Sequence, residues 1–414
     1  MWVLYRLLTL LAGLPWLLYL RSRHGGCLGH RLGLLPVRAD RPVWVQAVSV
    51  GEVRLALALA SLLEGRGLPL LLTATTAAGL ALAAKGGREP SAFPADVPWA
   101  ARRALRRVRP RLLVLVETEL WPGLVRAAAR EGIPVLVVNG RLSDRSLART
   151  LLFRGVFGRV LANVRVAARS PEHGERFVRL GVPRENVGVA GNMKYDLRPP
   201  EGFEAQTAEL RRLLPEAGGF LWVAGSVREG EEATVLEAHR LLRQKHPGAR
   251  LVVAPRHLDR TDRCAGEASS RGMTAARRSD SAAARGGWDV LVLDTLGELW
   301  AAYGLGQAAF VGGSLVPLGG QNPLEPAALE RPVLFGPSME NFADEAANLL
   351  EAGGAVRVES AGALAAELAR LLADARARSI MGAAGRAVVA AHRGAADRVA
   401  LAVVTLAGGA TPTA

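Results

Sequence analysis

The sequence predicts an α/β fold with two parallel-sheet domains. Short apolar, β-branched runs alternate with alanine- and leucine-rich helical stretches, the pattern of βαβ units. The alternation stops once, in the polar, proline-containing segment 196–205 (DLRPPEGFEA), and then restarts. A length of 414 residues exceeds one ordinary core and suits two domains of roughly 200. The chain therefore reads as two Rossmann-like halves of similar size, joined once.

In the first half the expected strands are 43–48 (VWVQAV), 68–74 (LPLLLTA), 111–116 (RLLVLV), 134–139 (PVLVVN) and 164–169 (VRVAAR). In the second they are 220–225 (FLWVAG), 250–255 (RLVVAP), 289–294 (DVLVLD), 308–313 (AAFVGG), 332–336 (PVLFG) and 355–358 (AVRV). All are apolar throughout, as strands are when helices cover both sheet faces. Helical stretches at 361–373 and 376–407 follow, then a small-residue tail, GGATPTA. The expected divisions are a helix over 1–22, an N-terminal domain over 40–198 and a C-terminal domain over 205–400. Ligands of such sheets bind beyond the carboxyl ends of the strands, so a cleft between the two sheets is the expected active site.

Half of the residues are hydrophobic and 22% are charged, which excludes a disordered chain. A net charge of +14 favours nucleic acid, anionic lipid or phosphorylated substrates as partners, or else is a solvated basic surface. The densest basic stretch, 101–111 (ARRALRRVRPR), has no interleaved aromatics, which argues against nucleic acid. It reads as a solvated helix and turn, or as one facing phospholipid. Two distant cysteines, Cys27 and Cys264, exclude a disulfide framework, and the seven histidines include no HExxH. A reducing compartment and no metal are expected.

The first 24 residues, MWVLYRLLTLLAGLPWLLYLRSRH, are mostly apolar and end in Arg21, Arg23 and His24. No small-residue cleavage site follows, so this is not a signal peptide. The length suits one spanning helix with Trp2, Tyr5, Trp16 and Tyr19 at the interfaces, and the basic flank keeps the rest cytoplasmic. Arg6 and Pro15 leave open a helix lying in the interface.

A G-x-G-x-x-A match within 303–313 follows a helix and opens a strand, the wrong way round for a dinucleotide fingerprint, and no P-loop motif is present. The strand ends are more informative. In the second half they carry AGSVREGEE (224–232), APRHLDR (254–260), DTLGELW (294–300) and FVGGSLVPLGGQNPLEPAALE (310–330). Asp294 and Thr295 are candidate caps of a short helix. Gly312, Gly313 and Ser314, then Gly319 and Gly320, lead to Asn322 as a helix cap with Pro323 in the first turn. Free N–H groups and a positive helix end there would meet an anion, and Glu325 a sugar hydroxyl. Four such loops together indicate a nucleotide site. In the first half Glu52 opens a helix directly after a strand (SVGE), where it either favours the helix dipole or acts as a general base. Glu117 and Glu119 stand one residue apart in ETELWP. We expect Glu117 to face the cleft and Glu119 to accept N–H groups at the start of the helix after Pro122. NGRLSDRS (139–146) and GNMKYD (191–196) supply Asn139, Arg141, Ser143 and, near the hinge, Lys194.

In this order and spacing, SVGE, ETELWP, NGRLSDRS, GNMKYD, PRH, GEL and FVGGSLVPLGGQNPLEP resemble the 3-deoxy-D-manno-oct-2-ulosonic acid (Kdo) transferase family, over nearly the whole chain to about Leu371. The resemblance implies a GT-B fold with a deep interdomain cleft and a membrane-attached, inverting glycosyltransferase of lipopolysaccharide assembly. The implied donor is CMP-Kdo and the implied acceptor a lipid A precursor such as lipid IVA. The implied location is the bacterial inner membrane, with the catalytic domains on the cytoplasmic side. The alternative is another membrane-associated GT-B enzyme using a different nucleotide sugar.

By position, the resemblance implies that Glu52 is the general base and that Glu117 and Lys194 stabilise the transition state. It implies that Pro255, Arg256, Leu296, Gly297, Glu298, Asn322, Pro323, Leu324 and Glu325 bind CMP. Two places depart from the family pattern: Ala47, where some relatives carry histidine, and 24–40, which lacks the usual arginine-rich linker. No cofactor or metal is implied, because a single donor phosphate can be met by Arg256 and a helix end.

Overall fold

The computed structural model describes residues 27–408, apart from 88, 90, 119, 153, 154, 156, 157, 215–218 and 281–286. The expected membrane helix over 1–22 and Glu119 lie outside the described residues. Among those described, no helix is long and apolar enough to cross a membrane. The chain divides into two units, one running to Asp196 and resuming at Arg393, the other Leu197–His392.

The first unit holds β1 (Val43–Ala47), β2 (Leu70–Ala74), β3 (Ser91–Ala92), β4 (Leu112–Val116), β5 (Val135–Gly140), β6 (Val164–Ala168) and β7 (Val187–Val189). They form one parallel sheet in the order β3-β2-β1-β4-β5-β6-β7. Strand alternation sends Val43, Val45 and Ala47 to one face, against helices Val50–Glu64, Ala77–Lys85 and Ala395–Ala407. Trp44 and its neighbours Leu113 and Leu115 face helices Pro98–Val108, Pro122–Arg130 and Pro171–Leu180. Gln46 is the polar exception in β1. It is buried but bonded: Thr73 Oγ1 donates to its Oε1 at 2.5 Å, and its Nε2 donates to Thr75 Oγ1 at 3.0 Å and Ala47 O at 2.9 Å.

The second unit holds β8 (Leu221–Val227), β9 (Arg250–Pro255), β10 (Ala275–Arg277), β11 (Val290–Val292), β12 (Ala308–Val311), β13 (Val333–Phe335) and β14 (Ala355–Arg357). They too form one parallel sheet, in the order β10-β11-β9-β8-β12-β13-β14. All eleven expected runs are strands. The order reverses between β1 and β4 in the first sheet and between β8 and β12 in the second. Those are the points at which such sheets hold ligands.

The C-terminal boundary differs from expectation. The stretch 376–407 is not one helix but two, Ala375–Ala391 and Ala395–Ala407, parted by Gly394 with φ +89°. The second helix belongs to the first unit, so the C-terminal unit closes at His392 rather than near 400. Asp196 fastens it, accepting the Gly394 and Ala396 N–H groups at 2.6 Å each. Val399, Ala400 and Val403 are then fully buried against the first sheet.

Candidate active site

Glu52 sits where β1 turns into helix Val50–Glu64. Ser49 and Glu52 form a capping box: the Glu52 N–H points at Ser49 Oγ (3.4 Å) and the Ser49 N–H at Glu52 Oε1 (3.4 Å), which also accepts from the Ser49 hydroxyl at 2.9 Å. Its Oε2 accepts the Val48 N–H at 2.8 Å. The side chain is 9% exposed, and that burial raises its pKa above the ordinary glutamate value. The bonds from Val48 and Ser49 pull it back, and the nearby charge of Glu117 raises it further. The helix-cap reading of its sequence position is what these bonds show. Glu52 caps its helix, and it is a desolvated carboxylate of increased basicity.

Glu117 is the first residue beyond β4, the strand beside β1. It has φ +63°, a left-handed conformation that a non-glycine residue takes at a cost, and its N–H bonds Val138 O at 2.9 Å. Asn139, near the end of β5, has φ +52° and is fully buried. Its Oδ1 accepts the Met193 N–H at 2.9 Å and so ties the turn Met193–Tyr195, which carries Lys194, to the end of that strand. The structure therefore brings Glu52, Glu117 and the Lys194 turn to the carboxyl ends of three neighbouring strands, β1, β4 and β5. Asn139 was legible as a polar strand-end residue, but its partner 54 positions away was not.

The helix Pro122–Arg130 is capped from a distance, by a residue of the segment before helix Pro98–Val108. Its first free N–H groups, of Gly123 and Leu124, go to the Asp96 carboxylate at 3.0 and 2.7 Å. A Cβ on Gly123 would press on the Asp96 backbone oxygen at 2.9 Å, so Gly123 is what admits this cap.

In the second unit the N–H groups of the loop's glycines are already bonded within the protein. Glu231, buried from solvent, accepts N–H groups from Arg228 (2.9 Å), Gly313 (2.6 Å), Ser314 (2.9 Å) and Leu315 (2.8 Å). Gly312 donates to Gly225 O, Gly319 to Ser338 Oγ, Gly320 to Gly313 O and Gln321 to Gly312 O. An internal carboxylate and the loop's own carbonyls fill the nest that the glycines form. The helix that follows is Leu324–Ala328, only five residues long, with Asn322 Oδ1 accepting the Leu324 N–H at 3.1 Å. Asn322 Nδ2 also reaches Glu325 Oε1 at 3.3 Å. Pro323 and Leu324 are buried beneath this turn.

The other implied CMP residues sit on adjacent loops. Pro255 ends β9, and the exposed Arg256 follows, its N–H on Val227 O at 2.8 Å. Leu296 is exposed and Gly297 has φ +93°, so this loop can present backbone to a ligand. The Glu298 carboxylate is engaged by Arg278 at 3.1 Å and by the Thr295 hydroxyl. Asp294 binds the Ser279 N–H and hydroxyl, so neither Asp294 nor Thr295 caps a helix as expected. Tyr303, in the core beneath these loops, has its phenol pKa well above the ordinary value, through burial first and the Glu325 charge second. Among the described residues no group of three His, Cys, Asp or Glu is placed to hold a metal.

The chain is similar to known proteins. A family profile described as 3-Deoxy-D-manno-octulosonic-acid transferase (kdotransferase) matches residues 27–197. The 3-deoxy-D-manno-octulosonic acid transferase of Bordetella pertussis is 37% identical over 359 residues, covering 84% of this chain and 82% of that protein. The Haemophilus influenzae transferase is 34% identical over 329 residues, covering 76% and 75%. A solved glycosyltransferase from Rickettsia africae ESF-5 is alike in fold, with a TM-score of 0.58 at 13% identity over 89% of this chain and 98% of that one. Two parallel seven-stranded sheets with this likeness are GT-B-like. The chain belongs to the 3-deoxy-D-manno-octulosonic acid (Kdo) transferase family of glycosyltransferases.

Proposed function

We infer that the protein moves Kdo from CMP-Kdo to a lipid A precursor, lipid IVA, inverting the anomeric centre. The observation that carries this is the gathering of Glu52, Glu117 and the Lys194 turn at neighbouring strand ends beside the first sheet's reversal. Glu52 takes the proton of the acceptor hydroxyl as its oxygen attacks the anomeric carbon. The bond from that carbon to the phosphate oxygen breaks, and CMP leaves with the electron pair. Positive charge grows on the sugar ring and negative charge on the leaving phosphate, so a carboxylate (Glu117) and an ammonium (Lys194) stabilise opposite ends of the transition state. Burial suits Glu52 to this, because a base works best when its pKa approaches the working pH.

The donor's cytidine and single phosphate are held by Pro255, Arg256, the backbone of Leu296, Gly297 and Glu298, and the turn from Asn322 through Pro323 and Leu324 to Glu325. One phosphate met by a guanidinium needs no divalent ion, and the reaction proceeds without metal or cofactor.

The apolar segment 2–20 attaches the chain to the bacterial inner membrane, with both units on the cytoplasmic side. Anionic lipid is the partner there. A groove of about 780 Å³ supports this, lined by Trp99, Arg102, Arg103, Arg106, Arg107 and Arg130 among others. Residues 32–38, which follow the apolar N-terminal sequence, are bonded to this arginine helix, with Arg107 Nε on Leu35 O at 2.6 Å and Arg38 N–H on Arg107 O at 3.1 Å. Basic side chains beside an exposed tryptophan suit an anionic headgroup layer.

The test is direct. Purified protein, CMP-Kdo generated in situ and lipid IVA are combined, and the lipid products are weighed by mass spectrometry. The expected result is a product heavier by one or more Kdo residues. Unchanged lipid IVA contradicts the reading.

A further inference from the structure

Most of the loop N–H groups at the second sheet's reversal, those of the four glycines included, are spent within the protein, on Glu231 and on neighbouring carbonyls and hydroxyls. An anion arriving there must be met largely by side chains. Arg228 directly follows β8 and His257 stands two residues beyond β9, and the two strands pair at Val227 and Pro255. Arg228 Nη1 lies 3.2 Å from His257 Nε2. A guanidinium only donates, so the ring accepts at Nε2 and carries its proton on Nδ1. The Arg228 stem lies over Gly313, whose Cβ, if it had one, would be 3.4 Å from Arg228 Cγ.

The neighbouring acids are committed elsewhere. Glu231 holds four N–H groups, Glu232 binds Arg260 at 2.5 Å, and Glu229 binds Arg260 at 2.9 Å. Among the described residues Arg228 is in no ion pair. A guanidinium and an imidazole thus stand together without a counter-charge at the carboxyl edge of β8, the strand that with β12 flanks the reversal. This second basic element, beside Arg256, has no role yet.

The donor carries two anions, the phosphate and the carboxylate of its acidic sugar. We propose that Arg228 and His257 bind the sugar carboxylate. Arg228 offers its remaining N–H groups in the planar fork that matches a carboxylate, and His257 aligns that fork while offering its Nδ1–H. The pair selects an ulosonic acid over a neutral sugar, because a neutral sugar would leave the cationic pair without an anionic partner. The assignment rests on the donor reading above.

The test uses the full chain and the variants Arg228→Ala, Arg228→Lys and His257→Ala. KM for CMP-Kdo is measured at saturating acceptor, CMP affinity by calorimetry, and folding by thermal melting. Loss of a charged hydrogen bond should raise the donor KM roughly ten- to hundredfold in Arg228→Ala, with partial recovery in Arg228→Lys and a smaller rise in His257→Ala. CMP lacks the sugar, so its affinity should stay within about twofold. An unchanged KM overturns the proposal, and so does an equal fall in CMP affinity, which would put the pair on the nucleotide. If the unmodified chain neither binds CMP nor consumes CMP-Kdo, the donor reading itself falls, and this assignment with it.

Discussion

Glu52 meets two opposed demands. As the proposed base it must be ionised to accept a proton, yet a fully solvated carboxylate is a weak base. Burial and the Glu117 charge raise its pKa, while the Val48 and Ser49 bonds keep the anion accessible. The sign follows for activity. The protonated, inactive form persists to higher pH than in a free glutamate, so the acid limb of kcat/KM should lie above 4.5. Glu117→Gln removes a repulsion, so it should shift that limb to lower pH while also lowering kcat. A pH–rate profile of both proteins checks this, and a limb that stays put in Glu117→Gln would uncouple the two acids. Stability runs the other way. A raised folded-state pKa gives a contribution present below the unfolded pKa and lost as pH rises through the folded one. At Glu117 and Asn139 the chain also keeps non-glycine residues at positive φ. Such strain, about 1–2 kcal/mol each, persists where the surroundings fix the conformation and the side chain is needed.

At the scale of elements, the second sheet packs through small residues and one buried acid. Gly225, in β8, leaves room for Tyr303. A Cβ there would collide with the Tyr303 hydroxyl and come within 2.9 Å of Leu299 Cδ1. Gly225→Ala should cost about 1–3 kcal/mol, lowering Tm by about 2–4 °C for each kcal/mol. Adding Tyr303→Phe should recover part of the loss by removing the hydroxyl, and thermal melting of both variants checks this. Elements differ in how legible they were. The eleven strands with apolar, β-branched runs could be read directly. Ser91–Ala92, Val187–Val189 and Ala275–Arg277 could not, being two or three residues long and at sheet edges, where only one ladder binds them. The filled nest was likewise invisible. Glycines at 312, 313, 319 and 320 suggest a phosphate loop, and nothing local says that Glu231, 82 positions before Gly313, fills it. Sequence separation also hid Asp96, which caps a helix 27 positions on.

For the whole molecule, composition and periodicity carried the two-sheet architecture, and the motifs carried the family. The chain's return to its first unit was not legible. The C-terminal alanine-rich stretch has an ordinary helical pattern, and only Gly394 and the Asp196 carboxylate reveal where it changes allegiance. Division into two units also separates the residues proposed for chemistry from those proposed for nucleotide binding. Glu52, Glu117 and Lys194 belong to the first unit, and the CMP-binding candidates to the second. Chemistry and nucleotide affinity should therefore respond independently to substitution. The measurement that tests this most directly pairs Kdo transfer with CMP calorimetry for Glu52→Gln, whose amide keeps the shape but cannot act as a base. Transfer should fall roughly 10²–10⁴-fold while CMP affinity stays within about twofold. Transfer at the unmodified rate would contradict the assignment of Glu52 as the base.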